Sequence, residues 1–480
     1  MGMQLGTTGA ARVSRLCRGP IIPTLLALAA PMVLVLSVQA SINLVETHFI
    51  GVLGTDALAG AALVFPVALL MQMVASGGLG GGIASAVARA VGAGERGRAA
   101  ALTAHGLALA TVAGLASCLL GLLAGPALYR TLGGSGPTLA AALAYSDTIF
   151  AGIVLIWWSN ALVSALRGSG DMATPAVVIL VSAGVAMALS PCLIQGLGPF
   201  PRLGLVGAGL AFLSYYALCT LGFLAVLVFG DGGLVAGGLM TGRPVRFDRA
   251  LFGDILSVGG LSTVMTLQSS LSTVVVTGLA GGFGSLLLAG YGVGSRLDAL
   301  LVPPLFGLGS ATVTMVGINV GAGETQRAER IAWLGALVAA LAMEAIGLLV
   351  TVKPRLWLGL FSDDAAVLAA GASYLRAVAP FYGCLGVGTI LHFAALGAGR
   401  PRGPLVAISA RMLVAAGGGF IVVHLFAGGP HRLFVMVAGG LVAFAVVNAA
   451  AVLNGSLRRG GRTDAARQPR PAKMATDRRP

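Results

Sequence analysis

Glu46 is the residue in this chain best placed to do chemistry: a carboxylate inside an apolar run, preceded by Gln39 and Asn43. Spacings of four and three put these side chains on one helix face, a polar stripe that points to a cavity rather than to lipid. Ionisable groups within a bilayer are costly and mark ion or substrate pathways. Desolvation favours the neutral form of a carboxyl group, so such an acid can gain a proton when a cavity faces one side and lose it when the cavity faces the other. Ionised, it attracts a cationic substrate; protonated, it releases it. The alternative, a glutamate hydrogen-bonded between helices with no coupling role, stays open.

The remaining polar groups offer less. Asp298 is a second ion-coupling candidate, set against a purely structural pairing, and Gln268 and Ser272 share a helix face that would line a cavity. Glu344 reads as internally paired, Asp254 as solvated, and His105 and His392 as packing residues. Cys17, Cys118, Cys192, Cys219 and Cys384 are scattered without metal or disulfide spacing, and the histidines form no ligand pair. No phosphate-binding G-x-x-x-x-G-K-[ST] loop occurs. Gly92-x-Gly94-x-x-Gly97 matches a dinucleotide fingerprint as a string, but no strand precedes it. No catalytic residue, metal site or cofactor is expected, and the energy for any transport would come from a proton or sodium gradient.

These groups must be positioned by membrane helices. The chain is 57% hydrophobic and 10% charged, with a mean hydropathy of +0.94, far from the roughly 25% charge of soluble domains. Apolar windows long enough to cross a bilayer fall at 22–50, 57–88, 99–124, 138–166, 172–197 and 205–229, then at 251–280, 285–320, 326–352, 365–398, 404–427 and 432–457. Their order repeats. VGAGE-x-x-R-A occurs at Val91 and again at Val320, 229 residues on. At that offset, or one residue from it, Gly54-x4-Ala59-Gly60 pairs with Gly284-x4-Ala289-Gly290, Gly78-Leu79-Gly80 with Gly307-Leu308-Gly309, and Tyr145 with Tyr374. Gly168-x-Gly170-x4-Pro175 likewise pairs with Gly397-x-Gly399-x4-Pro404. Co-registered matches of this kind mean internal duplication.

The expected fold is all-α and integral to the membrane, with twelve transmembrane helices in two six-helix lobes. An even number of spans per repeat leaves both lobes in one orientation, related by a pseudo-twofold axis along the membrane normal. The expected divisions are an N-terminal tail 1–19, a first lobe 20–230, a linker 231–249, a second lobe 250–457 and a basic tail 458–480. The formal charge of +14 is a topology signal. Arg89, Arg96, Arg98, Arg167, Arg243, Arg327, Arg400 and the tail arginines fall on one side, against Arg130, Arg202, Lys353, Arg355 and Arg432 on the other. The positive-inside rule then places both termini in the cytoplasm, in the cell (inner) membrane.

In several segments the chain resembles the multidrug and toxic compound extrusion (MATE) transporters, from about Pro31 to Arg411. NLVETHFIGVLGTDALAG from Asn43, VGAGERGRA from Val91, ALRGSGDMATP from Ala165, VGINVGAGETQRA from Val316 and ALGAGRPRGPLVAISAR from Ala395 match the family in order and spacing. The resemblance implies that Glu46 stands where members carry a first-helix aspartate implicated in proton or sodium coupling. It also implies an Asn and an Asp in the fifth helix, where this chain has Ala186 and Ser190. A sodium ion wants several oxygen ligands, whereas a proton needs one carboxylate, so the departure favours protons.

The reading that follows is a proton-coupled antiporter, not an enzyme, that exports amphipathic and often cationic organic compounds by alternating access. Coupling is assigned to Glu46 and Asp298, and the cavity to Gln39, Asn43, Gln268 and Ser272. Its partners would be small organic substrates and the lipid bilayer, with no nucleic acid, and the chain would act as a monomer. Two alternatives stand beside it. A lipid-linked saccharide flippase of the same superfamily would need a strongly cationic cavity to meet pyrophosphate, and a membrane-embedded enzyme or scaffold would need clustered histidines and carboxylates.

Overall fold

The computed structural model describes residues 9–229, 247–426 and 428–457, with only the backbone course given over residues 9–10, 40–45 and 229. The tail 458–480 and most of the linker 231–249 lie outside the described residues. Those described are helical and contain no strand. Eleven helices are long and apolar enough to cross a membrane, and a twelfth span is a pair bent by 47°.

In the first lobe the spans are span 1 Ile21–Gly51, span 2 Thr55–Gly92, span 3 Arg96–Thr131, the bent span 4 Gly136–Ala151 with Ile153–Gly168, span 5 Ala173–Gln195 and span 6 Gly204–Phe229. The second lobe has span 7 Arg249–Gly281, span 8 Ser285–Gly321, span 9 Thr325–Val352, span 10 Ala365–Gly397, span 11 Arg402–His424 and span 12 Pro430–Leu453. Each overlaps its apolar window, the largest difference being at the end of span 3, which runs to Thr131 where the window stops at 124. Span 8, 37 residues long, extends to about 55 Å, well beyond a hydrocarbon core of about 30 Å. Leu119, Leu123 and Leu341 are among the large apolar side chains left exposed, as a lipid-facing surface requires.

The duplication is carried by the backbone. Gly94 and Gly323 of the two VGAGE copies share a left-handed φ of 75° and 82°. Each ends its helix in the same way. Glu95 N–H donates to Ala90 O and Gly94 N–H to Val91 O, and Glu324 and Gly323 repeat the pair on Asn319 O and Val320 O. This is the Schellman stop, in which a glycine without Cβ strain caps two orphan carbonyls. Helix defects repeat as well. Span 2 is wound as a π-helix over Val74–Leu79, and the matching stretch of span 8 begins at Pro303 and Pro304, which remove two backbone donors. Span 4 breaks at Gly152, and span 10 breaks at the matching turn Ala379–Phe381.

Between the lobes, spans 1 and 8 pack together, as do their symmetry mates 7 and 2. The contacts of spans 2 and 8 are backbone on backbone. A Cβ added at Gly92 would lie 2.0 Å from Ile318 O, and one at Gly321 would lie 2.1 Å from Arg89 O. Arg89 and Ile318 are themselves 229 residues apart, so the two contacts are twofold mates and the axis passes between them. Small residues permit this approach, and dispersion and weak polar contacts then hold helices together where the hydrophobic effect cannot.

Within the expected tail 1–19, Gly9–Arg18 forms a short helix against span 8. Leu16 is buried, its carbonyl accepts from Asn319 Nδ2 at 3.2 Å, and Arg12 pairs with Asp171 at 3.1 Å. This helix touches both lobes on the arginine-rich side, the basic face, where the VGAGE loops also lie.

Candidate functional site

A cavity of about 590 Å³ lies between the lobes, lined mostly by the first. That volume suits one drug-sized molecule. Span 1 contributes Met32, Val35, Leu36, Gln39 and Glu46, which at helical spacing form one stripe, and Asn43 would fall on it, although its side chain lies outside the described residues. Span 7 contributes Ser262, Met265, Thr266 and Ser269. Gln268, one residue from that stripe and so about 100° off it, instead donates from Nε2 to Ser409 Oγ on span 11 at 3.0 Å. Ser272 continues the stripe one turn further and is not part of the lining. Neither residue of the second-lobe pair assigned to the cavity lines it: a single residue step turns Gln268 away, and Ser272 lies beyond the end of the lining.

Among the described residues, Glu46 is the only carboxylate on the wall. The hydroxyl of Tyr145 in span 4 donates to Glu46 Oε1 at 3.3 Å, and Gln39 Nε2 donates to the Tyr215 hydroxyl at 2.8 Å. Tyr374, the repeat mate of Tyr145, also serves an acid. It donates to Asp298 Oδ2, while Tyr382 donates to Oδ1. Here the symmetry breaks, since Glu46 belongs to the first helix of its lobe and Asp298 to the second. Asp298 is away from the cavity wall, with both carboxylate oxygens engaged.

Ala186 and Ser190 of span 5 both face the cavity. Ser190 Oγ is buried without a hydrogen-bond partner. No cluster of three or more His, Cys, Asp or Glu able to hold a metal exists among the described residues. Glu344 accepts from Gly383 N–H at 2.8 Å. His105 accepts at Nε2 from Asp248 N–H, 2.9 Å away, which places its own proton on Nδ1, facing Ala101 O at 2.7 Å. His392 lies on the cavity wall with Nδ1 unpartnered.

The cavity is closed on the basic face by bonds that cross between the lobes. Ser85 Oγ donates to Leu396 O, and Thr314 Oγ1 donates to Arg167 O at 2.9 Å. Asp254, expected to be solvated, pairs with Arg89 and, at 3.3 Å, with Arg98. Its partners belong to the other lobe, so no sequence spacing announces them. Asp254→Asn is expected to weaken this closure by about 1 kcal/mol, the scale of a partly exposed pair. The measurement is the separation of spin labels at Arg96 and Gln326, which lengthens if the latch matters.

Two six-helix lobes related by duplication around a shared, partly polar cavity are the architecture of a membrane transporter. Comparison with known proteins specifies which kind. The MatE family profile matches residues 31–192 and 262–421, and the chain belongs to this family of MATE efflux transporters. Among curated relatives, it is 27% identical over 408 residues to the FAD transporter of Shewanella oneidensis, covering 83% of this chain and 87% of that one. It is 28% identical over 438 residues to a probable multidrug resistance protein NorM of Deinococcus radiodurans, covering 87% and 92%. Among solved structures, a MOP superfamily transporter from Pyrococcus furiosus superposes with a TM-score of 0.82 at 25% identity, over 93% of this chain and 98% of that one. The polarity of its binding pocket is described as reversed and as suggesting a different function. An outward-facing multidrug resistance MATE transporter gives 0.81 at 26% identity, over 92% and 97%.

The charge pattern of the sequence sets Arg167 among the arginines of the basic face. The structure puts it on the cavity wall. The signal was present in the repeat: its mate is Leu396, so the charge occurs in one copy alone, as with Glu46 and the apolar Val276 region.

Proposed function

We propose that this transporter is a proton-coupled antiporter that exports amphipathic, often cationic, organic compounds by alternating access. In this scheme it acts as a monomer in the cell (inner) membrane, with the basic face and both termini in the cytoplasm. The observation that carries the proposal is Glu46, the one carboxylate among the described residues on the wall of a cavity closed on the basic face. Substrate enters from the cytoplasm while Glu46 is ionised. After the lobes tip, a proton from the more acidic outside neutralises Glu46 and frees the cation. The protonated form then returns and gives up its proton inside.

Support for protons over sodium comes from Ala186 and Ser190, which leave Glu46 as the only carboxylate on the wall among the described residues, where a sodium ion would need several oxygens. Asp298, with both oxygens bound by tyrosine hydroxyls, is assigned a supporting role in tying span 8 to span 10. Gln39 and, by its register, Asn43 complete the polar stripe. A saccharide-lipid flippase is less well supported, since Arg167 is the only arginine or lysine on the cavity wall among the described residues to meet a pyrophosphate.

The test is uptake of a fluorescent cation into everted vesicles under proton and sodium gradients imposed separately. Accumulation is expected with the proton gradient alone. Accumulation that follows sodium and ignores pH would overturn the assignment.

A further inference from the structure

Proton coupling accounts for one charge on the cavity wall and leaves the other unused. Arg167 lies on the last turn of span 4, where Gly170 N–H donates to its carbonyl in a helix stop and Thr314 of the other lobe donates to the same oxygen. Its backbone is thereby fixed where the lobes meet. Its guanidinium has no carboxylate among the described residues. Asp171, four residues on, is taken by Arg12 and Thr174, and Asp254 by Arg89 and Arg98.

A niche of about 40 Å³ shares Arg167 and several neighbouring lining residues with the cavity and has Ser76, Ser164 and Ser310 on its wall. Arginine near a membrane surface commonly anchors to headgroups. Here the lobes meet beyond it at Gly92 and Gly321, and the side chain faces the interior space. A half-buried cation without a counter-charge is left to be met by something else in the cavity, and its planar fork matches the two oxygens of a carboxylate or phosphate.

We propose that Arg167, with the hydroxyls of Ser164 and Ser310, forms an oxyanion subsite that takes the carboxylate or phosphate of an amphipathic zwitterion. The inference rests on the reading of this cavity as the substrate chamber. Span 1 lines that chamber from Met32 to Glu46, about 21 Å of helix, with opposite charges toward its two ends. A substrate bearing an anionic group at one end and a cationic group at the other complements both.

The test is equilibrium binding, by fluorescence polarisation, of a rhodamine with a free carboxylate and of its methyl ester to the purified full chain in nanodiscs. The wild type is expected to bind the acid dye at least ~10-fold more tightly than the ester, and Arg167→Gln to lose that preference while holding the ester as before. Arg167→Lys, which keeps the charge and loses the fork, should retain part of it. If Arg167→Gln fails to fold, Ser164→Ala combined with Ser310→Ala decides, with an expected loss of about 3-fold for the acid dye alone.

Equal weakening of both dyes, or a preference that survives in Arg167→Gln, overturns the proposal. Competition identifies the source. Displacement of the acid dye by phosphatidylglycerol placed in phosphatidylcholine discs assigns the subsite to a headgroup, and displacement by inorganic phosphate assigns it to a soluble anion. Displacement by neither overturns the subsite. The assay needs no gradient, so failed proton coupling leaves it intact, and Glu46→Gln should keep the acid preference.

Discussion

Replacing Glu46 with glutamine is expected to reduce proton-driven accumulation of a fluorescent cation in everted vesicles to the level set by leak. Insertion of the protein should be unchanged. The size of the effect follows from the coupling itself. If one proton returns for each substrate cation exported, the exchange is electroneutral, and a pH difference of two units supplies about 2.7 kcal/mol, a ~100-fold ratio at steady state. Glutamine cannot carry that proton, so the ratio collapses toward one however well substrate binds. The substitution is nearly isosteric, and the amide oxygen can still accept from the Tyr145 hydroxyl, so lost packing does not explain a loss of transport. Glu46→Asp separates titration from position. It retains a carboxyl group one methylene shorter and should restore coupling in part. Full accumulation by Glu46→Gln would remove this residue from the mechanism.

How far the sequence reveals this site depends on the range of the interaction. Spans are legible because an apolar run of sufficient length is a local property, and the apolar windows match the helices. The repeat is equally legible, since glycine at a left-handed stop or a backbone crossing cannot be exchanged without strain, and Gly94 with Gly323 mark both copies. Cavity stripes are partly legible. Gln39 and Glu46 keep their face over two turns, whereas Gln268 lies one residue from the lining of span 7 and bonds Ser409 instead. Interlobe charges were not legible. Asp254 meets Arg89 and Arg98 across the interface between the lobes, and Arg167 resembles any arginine at a helix end until the fold directs it inward. The difference between copies would have helped most, because symmetric residues build the frame and unpaired charges such as Glu46 and Arg167 mark what the frame is used for.

Gly92 and Gly321 provide the second large expectation, since they test the motion rather than the acid. At each, an added Cβ would stand about 2 Å from a backbone carbonyl oxygen of the other lobe. Backbone cannot rotate away as a side chain can, so Gly92→Ala or Gly321→Ala must push spans 2 and 8 apart on the basic face. Alanine also raises helix propensity by up to about 1 kcal/mol, but that gain is shared by every state in which the helix persists. The clash is confined to the state closed on this face, with a cost of about 1–3 kcal/mol for overpacking. A difference of that size moves a two-state population by roughly 5- to 150-fold. Each substitution should therefore lengthen the separation between spin labels at Arg96 and Gln326 and slow export, without altering insertion. The double substitution should do so more strongly. Gly253→Ala on the same face has no atom within 4 Å of the new Cβ and should leave both readouts at wild-type values. If Gly92→Ala and Gly321→Ala instead behave like Gly253→Ala, spans 2 and 8 do not need to touch for transport, and the tipping of two rigid lobes about this crossing is the wrong description of the cycle.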